Sequence, residues 1–311
     1  MKILILGGGG YIGSVLTERL LKRNTKVVIV DNFWFGNYLK KHNNLKIIRK
    51  DIRNLDSHIF KNVDAVIHLA NIANDPMVEL NQSISWEINV LSLKKIIEMS
   101  IKYNVKKFFF ASSGSVYGLK KEKKVTEDLE LIPISTYNKT KMIAERVILS
   151  YSKLIKTFII RPATVCGFSP RMRLDISLNN LTYQALKYGK IKIHGGKQIR
   201  PNIHIQDMCR VYEHFLFKNK KTGIYNAGFE NISIKKIGLM IQKKIRCKLV
   251  FQKMLDIRSY RQNSEKLLST GFKQKYNVED GINDIINHYN SGILLEKDQW
   301  YSVKWLKNKI F

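Results

Sequence analysis

The chain alternates between short apolar runs and segments whose apolar residues recur at helical spacing. Near-continuous apolar runs occupy 2–6, 26–31, 45–49, 64–69, 107–112 and 157–161. Runs this short predict strands buried on both faces, as in a parallel sheet. Helical spacing predicts helices near 11–23, 54–61, 84–103 and 136–153; in the first, Ile12, Val15, Leu16, Leu20 and Leu21 share one face. The alternation predicts an α/β fold, a doubly wound parallel sheet with helices on both faces and ligands at the carboxyl ends of its strands. After Arg161-Pro162 the elements become shorter and the loops more basic. Two domains are expected, 1–165 and 166–311. The second is a smaller mixed α/β region that builds a substrate pocket, and part of it returns to the main sheet.

The first strand runs into four consecutive glycines, Gly7 to Gly10, with Gly13 just beyond. Glycine is a poor residue inside a strand or helix, but here it stands at the turn between them. The GxxGxxG spacing of Gly7, Gly10 and Gly13 permits a tight turn. It also lets a pyrophosphate approach the backbone at the helix start, around Tyr11 and Ile12. The next strand ends in Asp31, eighteen residues past Gly13. An acid there can accept hydrogen bonds from adenosine ribose hydroxyls. It would repel a 2′-phosphate, and Asn32-Phe33-Trp34 supplies no arginine in compensation. The first domain therefore reads as a Rossmann domain for NAD rather than NADP.

A serine turn, Ser112-Ser113-Gly114-Ser115, follows the strand at 107–112, and Tyr137-Asn138-Lys139-Thr140-Lys141 comes later. On a helix Tyr137 and Lys141 share a face. An ammonium and a positively charged nicotinamide both favour the phenolate of a tyrosine. Such a tyrosine can take the proton of an alcohol as hydride leaves its carbon, and a hydroxyl of the serine turn can hold the same oxygen.

Charge and cysteines add limits. The 54 Lys and Arg against 25 Asp and Glu give a net charge of +29. Such a field could draw in nucleic acid, anionic lipid or a phosphorylated substrate. The lysines lie in scattered pairs rather than one block, which argues against a nucleic-acid partner. No apolar run approaches the roughly 18 residues of a membrane span. Cys166, Cys209 and Cys247 are odd in number and have no metal-type spacing, consistent with reduced thiols in the cytoplasm. The seven histidines also lack metal spacing, so no metal is expected and His68 and His204 read as structural.

The motifs GGGGYIG (7–13), VDN (30–32), KDIRN (50–54), HLAN (68–71), NV (89–90), SSGSVYG (112–118), YNKTK (137–141), RPATVCG (161–167) and RPNIHIQD (200–207) span most of the chain. Together they resemble the extended short-chain dehydrogenase/reductases, specifically the NAD-dependent sugar epimerase/dehydratase group. The resemblance implies that Tyr137 is the catalytic base and acid, with Lys141 as its pKa partner and a contact to the nicotinamide ribose. It implies that Ser113, five residues before Gly118, binds the reacting sugar hydroxyl, with Ser115 assisting. Further cofactor contacts are implied at Asp51, Ile52, Leu69, Ala70, Asn89, Ser112 and Pro162. Arg173, Arg200 and Arg258 are the implied substrate contacts, since guanidinium forks suit a diphosphate. Asn74-Asp75-Pro76 would edge the sugar pocket. A homodimer built from the helices near 84–103 and 136–153 is also implied.

Two departures from the group's pattern matter. Its 4,6-dehydratases carry an Asp-Glu pair where this chain has Gly114 and Ser115, which argues against water loss. Thr164 stands where many relatives carry a substrate-binding Asn. The block 161–185 also resembles a subgroup acting on sugars of bacterial surface polysaccharides, including GDP-heptose 4-dehydrogenases. The expected activity is a nucleotide-sugar epimerase acting at C4 through a transient 4-keto sugar. The alternative is a 4-dehydrogenase or 4-ketoreductase. A more distant one is a non-catalytic RNA-binding or redox-sensing relative, against which the retained Ser113, Tyr137 and Lys141 argue.

Overall fold

The computed structural model of the chain describes residues 1–253 and 261–310. Six strands come from the first 162 residues: β1 (Lys2–Leu6), β2 (Lys26–Asp31), β3 (Leu45–Arg49), β4 (Ala65–His68), β5 (Lys107–Ala111) and β6 (Lys156–Pro162). Six follow: β7 (Thr164–Cys166), β8 (Lys190–His194), β9 (Ile199–His204), β10 (Gly223–Ala227), β11 (Glu230–Ser233) and β12 (Lys248–Gln252). The helices up to residue 150 are α1 (Tyr11–Lys22), α2 (Asp75–Val78), α3 (Gln82–Trp86), α4 (Ser92–Lys102) and α5 (Thr136–Ser150). Those after it are α6 (Ser177–Tyr188), α7 (Ile205–Glu213), α8 (Ile234–Lys244), α9 (Glu265–Leu268), α10 (Val278–Asn290) and α11 (Ser302–Lys309).

A seven-stranded sheet in the order β10-β6-β5-β4-β1-β2-β3 forms the centre, and all its pairings are parallel. This is the doubly wound Rossmann arrangement expected from the strand and helix alternation. Leu6 is paired with both Val30 and His68, so β1, β2 and β4 end together. Side-chain alternation divides the core between the two faces. Ile3, Ile5, Val27, Ile29, Ile67 and Phe109 pack with Val15, Leu16 and Leu20 of α1 and with Tyr212 of α7. Leu4, Leu6, Val28, Val30, Val66 and Phe110 pack with Leu93, Ile96 and Ile97 of α4 and with Ala144 and Ile148 of α5. Strand period two thus feeds both helical layers.

One helical expectation is corrected, and a second is met with a local change of winding. Over 54–61 the chain makes two separate 3₁₀ turns, Ile52–Asn54 and Ser57–Phe60. Asp51 Oδ1 accepts the Arg53 N–H at 2.8 Å, and the chain is extended at Leu55 and Asp56. The apolar spacing of Ile52, Leu55 and Ile59 is met by three buried anchors without a continuous helix. Over 84–103 the helix is interrupted by a π turn at Glu87–Leu91 between α3 and α4.

Beyond β6 the chain adds a mixed sheet, β11-β9-β7, and a parallel pair, β12-β8. It returns to the edge of the main sheet through β10, which pairs with β6.

A buried ion pair ties α5 to the sheet. Arg161 donates from Nε to Glu145 Oε1 at 3.0 Å and from Nη2 to Oε2 at 2.7 Å. The side chains are 3% and 2% exposed. Arg161 Nη1 also donates to the Tyr117 hydroxyl at 2.7 Å, and that hydroxyl donates to Asn226 Oδ1 at 2.8 Å. Removing one partner of such a pair leaves a buried, unbalanced charge. Arg161→Met is therefore expected to destabilise the protein by about 3–5 kcal/mol. An unchanged urea midpoint would contradict this account of the clamp.

Candidate active site

The glycine turn is shaped by sterics before any ligand is considered. Gly7 has φ +84°, and a Cβ on it would lie 2.5 Å from the Ala70 nitrogen. A Cβ on Gly13 would lie 2.5 Å from the Gly7 oxygen. Side chains at these two positions would push α1 away from β1 and β4. The N-cap of α1 is Gly10, with no side-chain cap, and the first turn carries no acid. The backbone N–H groups of such a helix start are ready to receive an anion. This cradle fits the pyrophosphate of a dinucleotide.

Asp31 lies beside it at the end of β2. Its Oδ2 accepts the Gly9 N–H at 2.9 Å and its Oδ1 the Phe33 N–H at 2.7 Å. Burial pushes its pKa up, and the two N–H groups partly offset that. A carboxylate has acceptor sites beyond these two, so ribose hydroxyls can still bind.

Two cavities meet at this turn. One of about 110 Å³ is bordered by Asp31, Asn32, Asp51, Ile52 and Ala70. The other, of about 480 Å³, runs from Tyr11, Ile12 and Gly13 past Ser112 to Tyr137, Lys141 and Pro162. Gly7, Gly10, Phe35, Leu69 and Asn71 line both. The small cavity suits an adenosine, and the large one a nicotinamide with a second ligand. The Asp51 carboxylate is already engaged by Arg53, whose Nη2 donates to Oδ2 at 3.0 Å. Burial pushes the pKa of Asp51 up, but the Arg53 hydrogen bonds carry it below the usual value.

Asn89 borders neither cavity. Its Oδ1 accepts the Ile72 N–H at 2.8 Å, and its Nδ2 donates to the Ile72 carbonyl at 3.1 Å and to Thr140 Oγ1 at 3.2 Å. The amide thus fixes the loop after β4 to α5, from behind the cavity wall. The Tyr11 side chain is likewise occupied, its hydroxyl donating to the Gly167 carbonyl at 2.6 Å.

Tyr137 and Lys141 lie one turn apart on α5 and line the large cavity. Lys141 is buried, and its Nζ donates to the Ala111 carbonyl at 2.7 Å, at the end of β5. The Nζ is 6.0 Å from the Tyr137 ring centre. Burial pulls the lysine pKa down to about 7, against a smaller upward pull from Glu145. Ser112 Oγ donates to Glu145, so the same carboxylate joins the serine turn to α5.

The serine turn has an ordered direction. Ser115 Oγ donates to Asn138 Oδ1 at 2.6 Å. The contact of 2.8 Å between the Ser113 and Ser115 hydroxyls must then run from Ser113 to Ser115. Ser113 Oγ also accepts the Ser115 N–H at 3.2 Å, and rotation of its O–H away from Ser115 would free it to donate to a substrate oxygen.

On the substrate side, Arg173 is held by Asp175, with Nη2 to Oδ2 at 2.9 Å, and both border the cavity. Arg200, Thr164, Asn74, Asp75 and Pro76 border it too. Arg258 lies outside the described residues. Sequence reading did not assign Phe35, Asn138, Arg171 and Ser302, all of which line the cavity. Asn138 lies inside the YNKTK motif and Arg171 inside the block 161–185, whereas nothing in the sequence marks Phe35 or Ser302. His68 is buried between Phe108 and Phe110, and burial holds its pKa at about 3, keeping it neutral.

Residues 3–228 match the NAD dependent epimerase/dehydratase family. The chain belongs to this family, and NAD is its cofactor. A UDP-glucose 4-epimerase of Lactobacillus helveticus is 28% identical over 256 residues, covering 73% of this chain and 76% of that protein. The UDP-glucuronic acid 4-epimerase from Bacillus cereus, solved with UDP-glucuronic acid and NAD, has a TM-score of 0.85 and 29% identity. The match covers 94% of this chain and 99% of that one. MoeE5, solved with UDP-glucuronic acid and NAD, has a TM-score of 0.84 and 25% identity over 94% of this chain and 100% of its own. Among the described residues, no helix is long and apolar enough to cross a membrane.

Lys141 gives a pH-dependent outcome. An unfolded lysine titrates near 10.4, so between about 7 and 10 the unfolded chain holds more protons at this position. Stability then rises with pH across that window. For cofactor-free protein, the stability of the wild type relative to Lys141→Met is expected to grow by up to about 1.4 kcal/mol per pH unit from pH ~7 to ~9. Denaturant titration checks this, and a pH-independent difference would contradict it. Asp31→Ala is expected to weaken NAD binding about tenfold and to erode the preference over NADP, roughly the 1.4 kcal/mol of a charged hydrogen bond. Calorimetry with both dinucleotides measures this, and an unchanged preference would remove Asp31 from the site.

Proposed function

We propose that the chain is an NAD-dependent UDP-sugar 4-epimerase. The observation that carries this reading is the convergence of Ser113, Tyr137 and Lys141 on one cavity that opens onto the glycine turn. The relatives named above, which act on or bind UDP-sugars, support uridine diphosphate as the carrier.

Bound NAD supplies the reversible hydride acceptor that inversion at C4 requires. Tyr137 takes the proton of the C4 hydroxyl and returns it, so the substrate passes through a transient 4-ketone. In its protonated form Lys141, one turn from Tyr137 on α5, favours the phenolate of Tyr137. Ser113, turning its hydroxyl from Ser115 to the substrate, donates to the C4 oxygen and fixes it beside Tyr137, which alone receives the C4 hydroxyl proton. Positioned proton transfer of this kind contributes about 10²–10⁴-fold. Two carboxylates border the cavity among the described residues, and both are engaged, Asp75 by Ser135 and Asp175 by Arg173. With Gly114 and Ser115 at the serine turn, no uncommitted acid borders the cavity among the described residues to expel water. This favours epimerisation over dehydration.

A homodimer through α4 and α5 is part of the reading. Leu91, just before α4, and Ile143 and Leu149 on α5 are exposed apolar side chains beside one another's helices. A partner copy would cover them.

The test is to incubate purified protein with UDP-glucose and UDP-glucuronic acid, with no added cofactor, and follow the anomeric proton signals. The C4 epimer of at least one is expected, with NAD released on denaturation. Tyr137→Phe should lower turnover by about 10²–10⁴-fold while retaining NAD. A stable ketone formed with net NADH would overturn epimerisation in favour of a 4-dehydrogenase.

A further inference from the structure

Arg171 is a buried guanidinium that has no carboxylate bonded to it among the described residues. The residue is 3% exposed, and its Nε has no hydrogen-bond partner. Its Nη2 donates to Ser302 Oγ at 2.9 Å, and its Nη1 makes a long contact of 3.3 Å to the Met172 carbonyl. The guanidinium carbon lies 4.1 Å from the centre of the Phe35 ring. Arg171, Phe35 and Ser302 all border the large cavity, where it also meets Gly10, Tyr11 and Ile12.

A buried charge without a counter-ion is costly, and an orphaned N–H adds to the cost. Burial, with help from Arg173, pulls the Arg171 pKa down to about 9. The two nearby carboxylates are committed elsewhere, Asp31 to the N–H groups of Gly9 and Phe33 and Asp175 to Arg173. A diphosphate would supply the missing charge and the missing acceptor, which a planar guanidinium fork is suited to bind. Two diphosphates can enter this cavity, that of the dinucleotide and that of the nucleotide sugar. Phe35 follows the Asp31 strand and borders the adenosine-sized cavity as well. Arg171 is thus on the dinucleotide's side.

We propose that Arg171 binds the diphosphate of NAD, and that α11, through Ser302, holds the guanidinium in place. This rests on the NAD-dependent reading above. Helix α11 lies beyond the family match, which ends at 228. It is pinned to the same loop by Trp305, whose Nε1 donates to the Trp34 carbonyl at 2.6 Å. Ser302 and Trp305 make α11 a clasp on the segment Trp34-Phe35. A cofactor gripped from both the glycine turn and α11 would be retained between turnovers, as an enzyme that returns its own hydride requires.

Calorimetry on protein stripped of cofactor tests the proposal, with NAD, ADP-ribose, adenosine and UDP as titrants. Arg171→Met is expected to raise the Kd of NAD and of ADP-ribose at least tenfold, leaving adenosine and UDP within twofold. Ser302→Ala, which keeps the guanidinium, should raise the NAD Kd about threefold and speed NAD release. If Arg171→Met does not fold, Arg171→Lys replaces it, with the same ordering of titrants. Unchanged NAD affinity in the arginine variant would overturn the assignment. A weakened UDP arm with intact NAD binding would instead move Arg171 to the sugar nucleotide. Wild-type protein that binds none of the dinucleotide titrants would overturn the NAD-dependent reading itself.

Discussion

The site depends on the burial of Lys141 against the end of β5. Its ammonium reaches the Ala111 carbonyl, and that carbonyl belongs to the last residue before the serine turn. One hydrogen bond therefore sets the height of α5 relative to the serines. The Glu145 carboxylate, one turn further along α5, repeats the constraint by joining Ser112 and Arg161. These two ties hold α5 against the sheet one and two turns beyond Tyr137, which lines the cavity from the same helix. Desolvating a lysine is unfavourable for the folded protein, and its depressed pKa shows it. A group that is costly for stability and productive for chemistry is expected at an active site.

The cofactor side rests on a second mutual constraint. Asp31 receives the Gly9 N–H, so the acid at the end of β2 also shapes the turn after β1. Gly7 and Gly13 let that turn sit close to Ala70 and to itself. The glycines and the acid are therefore one unit. Their spacing in the chain reflects the pairing of β1 with β2, which aligns Leu6 with Val30. The cavity wall carries Lys141, Arg171, Arg173 and Arg200 against Asp75 and Asp175, and such a lining would concentrate the diphosphates that both expected ligands carry.

Most of the sheet was legible because its strands are short, apolar and buried on both faces. Strands β1 to β6 are the six runs read from the sequence, within a residue or two at each end. The 3₁₀ turns at 52–60 were not legible, because three buried side chains at helical spacing satisfy the same pattern without a helix. The role of Asn89 was also hidden: an amide that fixes a loop from behind a cavity looks, in sequence, like one that faces into it. Arg171 and Ser302 are 131 residues apart and meet only through the tertiary fold. No local signal pairs them, whereas Tyr137 and Lys141 announced themselves by falling on one helix face.

The central claim is that a sugar carbinol is inverted at C4, with Ser113, Tyr137 and Lys141 moving the hydroxyl proton and NAD, when bound, serving as the reversible acceptor of the hydrogen on C4. The most direct measurement uses a UDP-sugar substrate carrying deuterium at C4, with products analysed by mass spectrometry and NMR. The account predicts that the epimer keeps its deuterium at C4, on the inverted face, with no exchange into water. Deuterium lost to solvent, or an epimer inverted at another carbon, would contradict it.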